Sequence, residues 1–498
     1  MKKKDNSVFN ISLIIVLVIS LWGILSPTTF GDVAGNAFTF LTDKFGWFYL
    51  ISMFFFVVFM AFIAFSKYGN IRLGADDSRP EYSYISWFAM LFSAGMGIGL
   101  VFWGVAEPLN HYLYPMGMTG GTPEAANFAI FSSFLHWGIH PWANYAVIAL
   151  PLAYMQFRKG KPGLISSIFI PLIGEERVKG SIGKFIDILA IFATVAGVAT
   201  SLGLGVLQIN SGLNYLFGIP INTLVHIIII VVVTAMFMAS AISGVDKGIL
   251  FLSNANIAIA FGLMVLTLLL GPTLKIINSL TNGLGQYISG FIRESFAINA
   301  FGDNGWIAGW RIFYWAWWIA WAPFVGVFIA RISKGRTIRE FIIGVSVVPA
   351  IGSFIWFAIF GATGISLGTE VAAEAIKVTE TAFFVVMKHI PFGSIISLVA
   401  ILLLCTFFVT SADSATFVLG MMSRNGELNP DTKTKIIWGL VQSAMAFALM
   451  LAGGLQVLQT GSIVAAFPFA FVMIFACFSF WKVLKTENVG VVSQKELE

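Results

Sequence analysis

The strongest constraint on this chain is a recurrence: apolar runs long enough to cross about 30 Å of hydrocarbon return along its whole length. Twelve are counted, near residues 8–25, 45–66, 84–106, 128–155, 184–209, 222–242, 249–271, 306–330, 341–366, 393–422, 436–455 and 462–484. A helix satisfies its own backbone hydrogen bonds and lipid supplies none, so each run is expected to be a spanning helix. Composition excludes an ordinary soluble protein, with 58% hydrophobic residues, 11% charged residues and a mean hydropathy of +0.88. The expected fold class is an all-α polytopic membrane protein with 12 transmembrane helices.

The basic residues test that number. The N-terminus and the loops after even-numbered runs hold 23 of the 29 Lys and Arg, whereas the opposite loops hold five and Arg311 lies inside the eighth run. This alternation fits the positive-inside rule with both termini cytoplasmic. The net charge of +5 then reflects topology and gives no reason to expect nucleic acid. Cys405 and Cys477 both fall within runs, so no disulfide framework is expected. Lys2 to Lys4 before an apolar run mimics a secretory signal, but no small-residue cleavage site follows Leu25, and the run reads as an uncleaved first helix. Two outer segments, about 274–297 and 370–390, mix apolar and polar residues at helical spacing and are expected to lie in the interface, the first as a candidate subunit contact.

Two features carry chemistry. Ser93 to Gly99 reads Ser-Ala-Gly-Met-Gly-Ile-Gly, three glycines in mid-membrane, each weakening the helix by about 1 kcal/mol relative to Ala. Such backbone lines a cavity or packs closely against a neighbour, and Gly95 with Gly99 suits either role. Five runs later, Trp321-Ala322-Pro323-Phe324-Val325-Gly326 is expected to interrupt a second helix. Broken helices at matching places in two inverted halves point to a midplane binding site. Thr200-Ser201 and Thr410-Ser411 occupy corresponding runs and offer uncharged oxygen ligands for a small alkali cation, or else bond back to their own helices. The second feature is aromatic. Trp315, Trp317, Trp318 and Trp321 in one run, with Trp137, Trp142 and Tyr145 in another, can wall a cage for a cation that donates no hydrogen bonds, such as trimethylammonium.

At these residues the chain resembles the betaine/choline/carnitine transporter family. Gly309 to Trp318 resembles the family signature, Ile319 to Glu340 continues it, and Gly95 to Gly99, Trp103 to Tyr112, Trp137 to Tyr145 and Thr410 to Ser414 resemble further motifs. The resemblance covers nearly all of the chain and implies a leucine-transporter-type inverted repeat of 5+5 helices preceded by two extra helices. The segments would then be 1–83 with the first two helices, 84–271 as the first repeat, 272–305 as an interfacial helix, 306–484 as the second repeat and 485–498 as a short cytoplasmic tail.

By position, the resemblance implies an aromatic box of Trp137, Trp142, Tyr145 and Trp318, with Trp321 beside it, Phe328 further toward the cytoplasm, and Gly95, Met96, Gly97 and Gly99 near the substrate carboxylate. It implies one sodium site from Ser93, Met96, Phe407, Thr410 and Ser411, and a second from Thr194 and the ring of Phe324. The implied activity is sodium-coupled import of glycine betaine in a bacterial cytoplasmic membrane, by a homotrimer and with no cofactor beyond the coupling ion. The alternatives are a proton-coupled choline carrier or a sodium-independent carnitine/betaine exchanger.

Two departures accompany the match. Arg311 stands where the signature usually has Thr and is expected to snorkel to the headgroups. The tail after Leu484 is short, so strong self-contained osmosensing is not expected. His140 before Pro141 is expected to cap freed backbone or orient a ring, Glu107 to make a structural ion pair or a gate, and Asp187 and Asp413 to hold helix geometry. No nucleophile, metal cluster or acid–base pair suggests an enzyme, and no repeated filter suggests a channel.

Overall fold

The structure is a computed structural model that describes residues 6–95, 97–243 and 246–487; the side chains of 93–95, 243 and 246–251 lie outside the description. Among the described residues the architecture is helical throughout, apart from one antiparallel bridge between Arg72 and Thr337. The N-terminal part comprises α1 (Ser7–Leu25) and α2 (Pro27–Phe65). Next come α3 (Tyr84–Gly95) and α4 (Ile98–Leu113), then α5 (Pro123–Trp137) and α6 (Ile139–Ala153). Two short helices, α7 (Ile170–Ile173) and α8 (Glu175–Lys179), lead into α9 (Ser181–Phe217), α10 (Thr223–Ser243), α11 (Asp246–Leu270) and α12 (Thr273–Ser295). The remainder is α13 (Phe313–Ile332), α14 (Ile338–Ser366), α15 (Thr369–Ile376), α16 (Ala382–Met387), α17 (Gly393–Ser423) and α18 (Thr432–Leu484).

Local chemistry sets several of these boundaries. Thr337 caps α14 through the Glu340 N–H while the Glu340 carboxylate returns to the Thr337 N–H, a reciprocal capping box. Thr122 accepts from the Ala125 N–H, and Pro123 occupies the first helical position of α5, where its missing N–H costs nothing.

Nine helices among the described residues are long and apolar enough to cross a bilayer. The expected number of twelve is reached only by counting α3–α4 and α5–α6 as one crossing each and α18 as two. The first two pairs are interrupted at Gly97 (φ −131, ψ −140) and Gly138 (φ −90, ψ −132). The 53 residues of α18 would span about 80 Å if straight, but Gly453 and Gly454 take non-helical torsions, and Gly461 returns to lie beside Leu449. Gly454 has φ +57, a left-handed torsion that glycine adopts without strain.

The expected interruption at Trp321 to Gly326 is not found. Helix α13 runs unbroken through Pro323, because burial on nearly every side by α6, α9 and α18 holds the residue that lacks an N–H. Gly326 serves packing instead: a Cβ there would lie 2.7 Å from Ile148 of α6. The second interruption falls in the neighbouring span at Gly138, so the two breaks are not five spans apart.

The basic loops converge on one face. Leu73 N–H donates to Arg336 O (2.8 Å), Arg158 Nη1 to Gly74 O (3.0 Å) and Arg424 Nη1 to Asn6 Oδ1 (2.7 Å), joining widely separated loops. We call this the basic face. On the opposite face the segment expected in the interface forms the helix α12, with Leu274, Ile277, Ile288 and Ile292 exposed and Ile276 and Tyr287 buried. The 370–390 segment does not match: it breaks into α15, a turn of 3₁₀ helix and α16, and Ala382 to Met387 are all buried, which rules out a helix floating in the interface.

Candidate aromatic chamber

The break at Gly138 ends α5 at Trp137 and restarts the chain as α6, carrying Trp142 and Tyr145 one turn apart. The freed Ile139 N–H is taken up by the Tyr287 hydroxyl of α12 at 3.0 Å. Facing the break, α13 presents Trp317, Trp318 and Trp321. Trp137 and Trp318 meet edge to face with centroids 4.8 Å apart, Trp317 stacks on Trp318 at 4.8 Å and 14°, and Trp317 meets Trp321 edge-on at 6.5 Å.

These four indoles surround a void bordered also by the backbone around Gly97 and Gly99 and by the hydroxyl residues Ser201 and Ser411. No charged side chain lines it among the described residues. The void is only about 10 Å³, about one water's worth, so the rings must part to admit a ligand. Gly99 permits the close approach, since a Cβ there would lie 2.6 Å from the Trp317 ring and 3.1 Å from that of Trp137.

Three of the four indole N–H groups are anchored to protein, whereas Trp317 Nε1 is buried without a hydrogen-bond partner. Trp318 Nε1 donates to His136 O (2.9 Å), Trp321 Nε1 to Gly197 O (2.7 Å) and Trp137 Nε1 to Glu107 Oε2 (2.8 Å). Trp142 and Tyr145, expected in the box itself, form a row behind it. Tyr145 meets Trp318 at 6.3 Å and Trp142 meets Tyr145 at 5.6 Å, but neither borders the void. Trp317, named among the aromatic residues able to wall a cage but absent from the box that the resemblance implies, does border it.

Of the glycine stretch, Gly97 and Gly99 border the void, Gly95 closes α3, and Met96 lies outside the described residues. The same holds for the Ser93 side chain. Thr410 Oγ1 gives its proton to Thr406 O (3.1 Å) or Phe407 O (3.2 Å), as the alternative reading of that pair anticipated, and accepts from Asn256 Nδ2 (3.3 Å). A spent proton still leaves a lone pair for a cation. Ser411 Oγ approaches Gly97, at 3.5 Å from where its Cβ would stand. Thr194 Oγ1 is buried without a hydrogen-bond partner, and the Phe324 ring packs on Trp321 at 5.5 Å. The hydroxyls of Thr194, Thr410 and Ser411 are uncharged oxygens, the chemistry a small alkali cation accepts.

Other expectations resolve as follows. Arg311 does not snorkel: it is wholly buried, donates Nη1 to Glu294 O at 2.8 Å and faces Trp306 at 5.4 Å, because α12 covers its way out. His140 stacks on Trp315 at 4.8 Å and bonds Ser295 at 2.8 Å, so it orients rings. Asp187 binds Ser166 N–H and Oγ at 2.9 and 2.7 Å, holding the 3₁₀ turn Ile165–Phe169 to α9. Asp413 accepts from Ser240 Oγ of α10 at 3.1 Å. Thr200 is bonded to Leu458 O at 2.8 Å and serves helix contact. Toward the basic face a cavity of about 400 Å³ is lined by Phe328, Arg331, Asp413 and Lys435 among others.

A bundle of apolar helices enclosing an uncharged aromatic chamber, with a wide cavity leading to one face, defines a polytopic membrane transporter. The family model for BCCT, betaine/carnitine/choline family transporters, matches residues 7–489, and the chain belongs to that family. It is 50% identical to the glycine betaine transporter OpuD of Bacillus subtilis, over 100% of this chain and 98% of the relative. It is 46% identical to a probable glycine betaine transporter of Desulfitobacterium hafniense, over 98% of this chain and 99% of the relative. Identity is 44% to an ectoine/hydroxyectoine transporter of Virgibacillus pantothenticus, with 99% of each chain covered.

Proposed function

We propose that this chain imports glycine betaine by sodium symport through alternating access, protecting cells from osmotic stress. The observation that carries the reading is the meeting of Trp137, Trp317, Trp318 and Trp321 around a void without a charged side chain among the described residues. A trimethylammonium group has no N–H to donate, so it gains little from a carboxylate's hydrogen-bonding geometry and much from aromatic faces, each worth about 0.5–2 kcal/mol. The zwitterion's carboxylate then turns to Ser201, Ser411 and the backbone at the Gly97 break. The names of the first two relatives support the same substrate.

Sodium held by Phe407, Thr410 and Ser411, with Ser93 and Met96, would brace that break and raise affinity for the zwitterion. A second ion would use Thr194 and Phe324. The 400 Å³ cavity is the exit, so the inner side is the basic face, with both termini in the cytoplasm of a bacterial cell. The exposed apolar residues of α12 suit assembly into a homotrimer.

Uptake of labelled glycine betaine into proteoliposomes tests the function. Accumulation is expected with an imposed sodium gradient and not with a proton gradient or with neither. Accumulation driven by protons would favour a proton-coupled carrier, and exchange alone, without either gradient, would favour the exchanger. Ectoine as competitor measures substrate breadth.

A further inference from the structure

We propose that Glu107 is a positioning residue that tunes the chamber for cations by acting through Trp137; the proposal rests on the trimethylammonium reading above. Glu107 is a wholly buried carboxylate in α4, an arrangement that survives in a bilayer only when the charge is fully satisfied. Its Oε2 accepts from Trp137 Nε1 at 2.8 Å and from the Tyr314 hydroxyl, and its Oε1 meets His136 Nδ1 at 2.7 Å, with His111 Nε2 at 3.4 Å. These partners come from α4, α5 and α13, so one carboxylate pins the helices that supply the indoles.

The Trp137 bond differs in kind from its neighbours. Trp318 and Trp321 donate to backbone carbonyls, whereas Trp137 donates to a charged group. The opposite end of the Trp137 ring, at Cη2, lies 3.1 Å from where a Cβ on Gly99 would stand, at the chamber wall. The indole therefore stands between the carboxylate and the void. An N–H bonded to an anion pushes electron density into its ring, deepening the negative face that a cation meets. The substrate's cation feels Glu107 without touching it, so no ion pair has to be broken for release.

The test compares binding of glycine betaine with binding of 3,3-dimethylbutyrate, the carbon isostere in which the quaternary nitrogen is replaced. The native transporter is expected to prefer the cationic compound, and Glu107→Gln, which keeps the shape, to narrow that preference about tenfold while leaving the isostere nearly unaffected. Trp137→Phe, which keeps a ring face and deletes the N–H, should narrow it similarly. Adding Glu107→Gln to that variant should then change little further. Tyr314→Phe, which removes a different donor from the same carboxylate, should leave the preference intact, and it guards against reading a folding defect as an effect on charge. Equal weakening of both compounds by Glu107→Gln, or effects of the two substitutions that multiply, would overturn the proposal. A native transporter indifferent to charge would overturn the trimethylammonium reading along with it, whereas a native preference that survives Glu107→Gln overturns this proposal alone.

Discussion

Trp318 is the residue on which the chamber turns. It stacks on Trp317, meets Trp137 edge-on, touches Tyr145, donates to His136 O, and its own carbonyl accepts from Asn144 Nδ2 at 2.7 Å. Replacing it with Leu keeps apolar bulk and removes the face, so Trp318→Leu is expected to abolish uptake while the protein still inserts and purifies. Near-normal uptake by that variant would count heavily against the cation reading. Thr410 and Ser411 differ from each other in position, one bonded to its own helix and the other beside Gly97. Replacing both with Ala removes the two hydroxyls of the proposed sodium site, and the sodium concentration for half-maximal uptake should rise about tenfold or more, a loss of about 1.4 kcal/mol or more. An unchanged sodium curve would remove them from the ion site.

At the scale of the element, the break at Gly138 matters most. It turns Trp137 out of register with α6 and leaves the Ile139 N–H without a helical acceptor, a debt met by a side chain from α12. Tyr287→Phe deletes that acceptor and strands a buried donor, which costs about 1–3 kcal/mol. The variant should unfold at a lower temperature in detergent, and slower hydrogen exchange at the Ile139 amide than in native protein would contradict the assignment. Gly138 itself tolerates little, since a Cβ would lie 2.6 Å from both Phe134 O and the Tyr287 hydroxyl. Helix α13 makes the converse point: Pro323 marks no break there because dense packing outweighs one missing hydrogen bond.

For the whole molecule, the basic face is held by a network that spans the chain. Glu487, just past α18, takes Arg158 Nη2 at 2.8 Å and Lys159 Nζ at 2.7 Å and also bonds Tyr154, while Arg158 reaches Asp76 in an earlier loop. The Arg158 hydrogen bonds, then those of Lys159 and Tyr154, hold the Glu487 carboxyl down at about 2 against a usual 4.5. A folded-state value lowered in this way contributes stability above the unfolded value that is lost as pH falls through the folded one. Thermal unfolding followed from about pH 6 to about pH 2 should therefore show native protein losing stability across the lower part of that range. Glu487→Gln should start less stable and lose less there, and parallel curves for the two proteins would refute the tether.

Much of this was readable along the chain. Apolar runs, the alternation of basic loops, the amphipathic pattern of α12 and the glycine interruption before Ile98 are local or periodic signals, and burial in lipid reads them directly. The tryptophan run marked α13 as the chamber wall for the same reason. Which rings face the void was a matter of tertiary geometry: the Gly138 break and the stacking of Trp317 decided it, setting Trp142 and Tyr145 behind. Arg311 was misjudged because its cover, α12, ends 16 residues earlier in the chain and packs back over it. Of the Glu107 contacts only His111 lies one helical turn along the chain, whereas Trp137 and Tyr314, which donate to its carboxylate, lie 30 and 207 residues away. Lipid selects what each segment must be, one segment at a time, whereas the pairing of a buried charge or an aromatic edge depends on how distant segments pack.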